Sequence, residues 1–167
     1  MGGSRTLPAF WLKEHWLAKT LAPIGALYGR AMHYRRQQYL NGRWASTQLP
    51  TPIVVVGNIF VGGTGKTPLV IWLVEAARKQ GMTPGVILRG YGGTSAGPES
   101  VQHDSDPRTV GDEAVLIAQR TGCAVAIGKD RVAAAQLLID TASPDLIISD
   151  DGLQHYALAR DIEIAVI

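Results

Sequence analysis

One stretch limits the fold more than any other: Val54-Val55-Val56-Gly57-Asn58-Ile59-Phe60-Val61-Gly62-Gly63-Thr64-Gly65-Lys66-Thr67-Pro68. Its start, the β-branched run over 53–56, reads as a buried strand. A glycine-rich turn follows, then a helix over 66–80 stopped by Gly81. Gly62, Gly63 and Gly65 let the backbone turn its N–H groups inward with no Cβ in the way. With the positive end of the following helix they form a cradle for a polyphosphate. In that setting Lys66 reaches the β- and γ-phosphates, and Thr67 offers its hydroxyl to Mg²⁺. The general pattern G-x-x-x-x-G-K-[ST] fails at one position, where Phe60 replaces the first glycine. The variant of the partitioning ATPases needs a lysine where Val61 stands.

Beyond the loop, apolar runs and helical patterns alternate. Strands are expected over 86–88, 124–127, 146–149 and 162–167, helices over 112–121 and 130–140, and a loop over 90–110. This order predicts an α/β fold of the P-loop NTPase type, a mostly parallel sheet with helices on both faces. The 167 residues suffice for one domain and an arm, and 46% hydrophobic with 18% charged residues fits a globular chain.

The net charge of +2 hides an asymmetry: residues 1–48 carry +6 and the rest −4. Residues 8–40 read as an amphipathic helical arm, in two pieces bent at Pro23. Ile24, Leu27, Tyr28 and Ala31 share one face, opposite Arg30, His33 and Arg36. Trp11, Trp16 and Trp44 also fall in this arm, and Trp beside Lys/Arg suits an anionic membrane surface. The alternative is a helix packed on its own domain with a solvated basic face. No run reaches 18 apolar residues and the start has no secretory layout, so a cytoplasmic chain without a membrane span is expected. The division expected is an arm over 1–48 and a nucleotide-binding domain over 49–167. The single cysteine, Cys123, lies in an apolar run and reads as a buried structural thiol.

Two acids end the strand over 146–149. A hard carboxylate at a strand's C-terminal edge beside a phosphate loop suits Mg²⁺, so Asp150 or Asp151 is a candidate ligand. Asp112, opening a helix, is either an N-cap or a general base near the γ-phosphate. Arg89 and Tyr91 sit in a glycine-rich turn that can bind phosphate and stack on a sugar. Arg131 stands at a helix start and Gln154 and His155 follow the two acids, where solvated or structural roles are equally open.

Taken together, residues 56–68, 88–93 (Leu-Arg-Gly-Tyr-Gly-Gly), 111–113 (Gly-Asp-Glu) and 149–155 (Ser-Asp-Asp-Gly-Leu-Gln-His) resemble the tetraacyldisaccharide 4'-kinase family of lipid A biosynthesis. That family also lacks the first glycine of the general loop. The resemblance implies an enzyme peripheral on the inner membrane, transferring the γ-phosphate of ATP to the 4'-hydroxyl of an acylated glucosamine disaccharide 1-phosphate. It implies nucleotide contacts at Gly62, Gly63, Thr64, Gly65, Lys66 and Thr67. Mg²⁺ would fall to Thr67 and the Asp150–Asp151 pair, catalysis to Asp112 with Lys66, and substrate contacts to Arg89, Tyr91, Arg131, Gln154 and His155. No nucleic acid and no obligate protein partner is implied. The resemblance covers only the family's N-terminal portion, so a second lobe, with a histidine paired to the catalytic acid, is expected beyond residue 167. A different P-loop ATPase or kinase and a non-catalytic nucleotide-binding module are the rival readings.

Overall fold

The computed structural model describes residues 16–58 and 65–167. The expected contacts at Gly62, Gly63 and Thr64 therefore lie outside the described residues, as does the start of the arm. Contacts divide the chain after Ala45. Before that point, helix α1 (Trp16–Leu40) runs without interruption and carries Pro23 inside it. Where two pieces bent at Pro23 were expected, one helix continues through it. The helix is exposed on all sides from Thr20 to Ala31, so water can take up the backbone group that proline frees. Ile24, Leu27 and Tyr28 form an exposed apolar stripe.

The second unit, Ser46–Ile167, is built on a six-stranded sheet. Its elements are β1 (Ile53–Asn58), α2 (Lys66–Lys79), β2 (Pro84–Leu88), β3 (Glu99–Val101), α3 (Pro107–Val110), α4 (Asp112–Thr121), β4 (Ala124–Ile127), α5 (Arg131–Ala142), β5 (Leu146–Asp150) and β6 (Ile162–Val166). The strand order is β3-β4-β2-β5-β1-β6, and every pairing is parallel except β3 with β4. The α/β expectation holds. The loop expected over 90–110 contains β3 and α3, whose three and four residues are too short to show a period.

Alternation along the strands supplies two cores. Val56, Val86, Leu88, Val125, Ile127 and Ile148 face α2 and α4, while Ile53, Val55, Ile87, Ala126 and Ile147 face α5. Small Ala134 and Ala135 let α5 lie close to the sheet. On the other face, the Arg78 guanidinium at the end of α2 donates to the carbonyl of Thr121 at the end of α4. Cys123 is buried, as expected.

The parallel ladder brings strand ends together. Val56 of β1 lies opposite Asp150 of β5, and Ile87 of β2 opposite Ser149. The loop after β1, the arginine turn after β2 and the acid pair after β5 therefore leave the sheet at one edge, where open α/β sheets bind ligands. Leu153, in the turn after β5, packs so closely over Gly57 that a Cβ there would lie 2.5 Å from its Cγ. Gly57→Ala should cost about 1–3 kcal/mol in urea-unfolding free energy. In a Leu153→Ala background the same change should cost far less; strictly additive costs would show that Leu153 does not fill this space.

Candidate functional site

The helix that follows the glycine-rich loop begins at Lys66, preceded by Gly65 in the left-handed conformation, φ 75°. The first turn of α2 contains no acid, so the N–H groups and positive end of this 14-residue helix face the sheet edge unopposed by its own carboxylates. The Lys66 ammonium meets the Asp151 carboxylate at 2.8 Å. The Thr67 hydroxyl donates to Glu113 Oε1 at 3.3 Å.

Asp150 and Asp151 have opposite surroundings. Asp151 is largely exposed and takes a left-handed backbone, φ 55°, unusual for a residue other than glycine. Asp150 is 4% exposed, and its Oδ1 has no hydrogen-bond partner among the described residues. Burial above all, then the negative charge of Glu113, pushes its pKa up to about 6; Lys66 pulls the other way.

A cavity of about 590 Å³ opens over these groups. Arg89, Tyr91, Asp112, Glu113, Asp150 and Asp151 are among the residues that line it. Two of the lining segments lie close together. Gly111, φ 91°, lies so near the turn after β2 that a Cβ would sit 2.8 Å from the Tyr91 carbonyl. Gly111 also occupies the N-cap position of α4, with Asp112 as the first helical residue and no side-chain cap. Asp112 thus does not cap its helix, and its carboxylate lines the cavity.

The sequence profile of the family described as tetraacyldisaccharide-1-P 4'-kinase, LpxK, matches residues 17–167. The chain belongs to this family. The tetraacyldisaccharide 4'-kinase of Alkalilimnicola ehrlichii is 55% identical over 163 residues, 96% of this chain and 49% of that protein. That of Nitrosococcus oceani is 48% identical over 159 residues, 95% of this chain and 47% of the relative. The chain spans about half the length of these curated relatives. The crystal structure of LpxK from Aquifex aeolicus in complex with ATP matches with a TM-score of 0.82 at 32% identity, over 89% of this chain and 48% of that one. The kinase-family fold is therefore shared as well as the sequence.

Of the residues expected to serve such a kinase, Arg89, Tyr91, Asp112, Asp150 and Asp151 line one cavity, and Lys66 joins them through Asp151. Thr67, Arg131, Gln154 and His155 do not line it, and Thr67 lines a separate cavity with Trp72 and Leu116. Arg131 is 2% exposed; its Nη1 donates to the Gly128 carbonyl, while Nε and Nη2 have no partner among the described residues. Burial and then the charge of Arg89 lower its pKa to about 10, so it stays cationic at neutral pH. Glu113 has no role in the sequence reading, although it is the acid next to Asp112. Only the 46-residue chain reversal that brings it to Thr67 reveals it.

Because the Asp150 pKa lies above its ordinary 3.8, the folded chain takes up this proton before the unfolded chain does. The cost of the buried charge is fully present above about pH 6 and fades as pH falls toward 3.8. With divalent ions chelated, Asp150→Asn should stabilise the chain at pH 8 by about 2–3 kcal/mol at most, with the gain gone by about pH 4. A gain independent of pH, measured by urea unfolding, would contradict this assignment.

Proposed function

We propose that this chain is the nucleotide-binding part of a kinase that moves the γ-phosphate of ATP to the 4'-hydroxyl of an acylated glucosamine disaccharide 1-phosphate. The observation that carries the reading is one cavity lined by Asp112, Asp150 and the Asp151 that pairs with Lys66, in a chain of this family. In the reading, Lys66 exchanges Asp151 for the β- and γ-phosphate oxygens, with the backbone N–H groups at the start of α2 beside it. Asp112 orients the acceptor hydroxyl and takes its proton as the oxygen attacks. Arg89 and Tyr91, which line the same cavity, take the sugar or its phosphate.

Mg²⁺ fits the acids present: the partnerless, buried Oδ1 of Asp150 and the Asp151 carboxylate are hard oxygens at one strand end, and the Thr67 hydroxyl, on the first turn of α2, would join them on leaving Glu113. Bound there, the ion would neutralise charge on the phosphates. The reading also puts the chain at the inner-membrane surface. No described helix is long and apolar enough to cross a membrane, but α1 exposes Ile24, Leu27 and Tyr28 beside basic residues, the composition of a helix lying in an anionic interface.

Two substitutions test the chemistry. ATP affinity is read on the chain itself; transfer of ³²P from ATP to the lipid is read on the chain joined to the second half of the Alkalilimnicola relative. Lys66→Ala should weaken ATP binding by about tenfold or more and lower transfer with it. Asp112→Asn should lower turnover by about 10²–10⁴ while leaving ATP affinity nearly unchanged. Equal losses of both in Asp112→Asn would remove it as the base, and phosphate released to water without labelled lipid would favour a different ATPase.

A further inference from the structure

Asp150 ends β5 in the ladder opposite Val56, and the turn that follows begins at Asp151 with few backbone hydrogen bonds of its own. Gly152 N–H donates to the Val56 carbonyl at 3.3 Å, His155 N–H to Gly152 at 3.0 Å, and Leu158 N–H to His155 at 3.1 Å. Asp151 nonetheless keeps a left-handed backbone, which a residue with a Cβ adopts only where its surroundings hold it.

Arg160 binds the carbonyls that follow Asp151. Its Nη1 reaches the carbonyls of Gly152 at 3.4 Å and Leu153 at 3.2 Å. Nη2 donates to the His155 carbonyl, and Nε to that of Leu158 at 3.2 Å. The guanidinium carbon lies 5.4 Å from the Tyr156 ring centroid, and the side chain is 10% exposed. One outward contact remains, Glu163 Oε1 at 2.9 Å. A planar fork of five N–H donors can serve carbonyls on several sides at once; a lysine ammonium, a single point with three donors, cannot.

We propose that Arg160 is a positioning residue for the metal–nucleotide site: by gathering the carbonyls of Gly152, Leu153 and His155 it fixes the turn that aims Asp151 beside the ladder-held Asp150. It touches neither nucleotide nor metal and acts through the backbone. The inference rests on the nucleotide reading above and adds a residue that the phosphate-loop and acid motifs do not contain.

The test is titration of the 167-residue chain with ATP, with and without saturating MgCl₂. The quantity read is the ratio of the two affinities. In Arg160→Lys the ratio should fall by about 10- to 100-fold, the usual cost of losing an outer-shell support, while affinity without Mg²⁺ stays within about twofold. Glu163→Gln removes only the outward ion pair and should keep the ratio of the unsubstituted chain. Melting curves accompany each titration, and Arg160→Gln, which keeps two N–H donors, replaces Arg160→Lys where the latter unfolds at the assay temperature. An unchanged ratio, or equal loss with and without Mg²⁺, overturns the positioning role and leaves the nucleotide reading standing. Failure of the unsubstituted chain to bind ATP under either condition overturns the nucleotide reading itself.

Discussion

Everything at the site depends on the parallel pairing of β1 with β5. The ladder sets Val56 opposite Asp150, so the start of the phosphate loop and the acid pair emerge side by side although about ninety residues separate them. The register is held by packing on both faces: Ile53 and Val55 face α5, while Val56 faces α2 and α4. A slip of one residue would turn each of these side chains to the opposite face and Asp150 with them. Leu153 over Gly57 and the Gly152 N–H on Val56 then fasten the turn after β5 to the end of β1.

This edge is built against stability. Asp150 holds a carboxylate in a place that favours its neutral form, Arg131 keeps two guanidinium nitrogens without partners among the described residues, and Asp151 carries backbone strain. The valine and isoleucine layers on either side of the sheet offset these costs. Of the unsatisfied atoms among the described residues, Asp150 Oδ1 belongs to a residue that lines the cavity, a charged group poorly paired where the proposed ligand would sit. Lys66 and Thr67 have partners in Asp151 and Glu113, both exposed to water and therefore weakly held.

Much of this was legible in the sequence, and the limits have physical causes. The runs that became β1, α2, α4 and β4 are periodic and bounded by Gly, so their type and rough extent followed from pattern alone. The phosphate-loop reading rests on a contiguous motif, of which Gly65 to Thr67 fall among the described residues. Asp112 was left between capping and catalysis by its spacing. Gly111 decides against capping by occupying the cap position itself, a detail of φ that sequence does not display. Pro23 was read as a bend, but exposure on all sides lets α1 continue through it. Glu113 and Arg160 were missed for one reason: each acts across a turn or between elements, and neither stands in a pattern. Arg131 carried a substrate role by resemblance, and its burial was invisible until the fold was known.

The central claim is that Lys66, now held by Asp151, is the group that receives the phosphates. The measurement that tests it most directly is ATP affinity of the Asp151→Asn chain in the absence of divalent ions. Freed of its carboxylate partner and with one less negative charge beside the ligand, Lys66 should bind ATP more tightly, by up to about fivefold for an ion pair as exposed as this one. A weaker affinity without metal would mean that Asp151 does not compete with phosphate for Lys66, and the account of the site would be wrong.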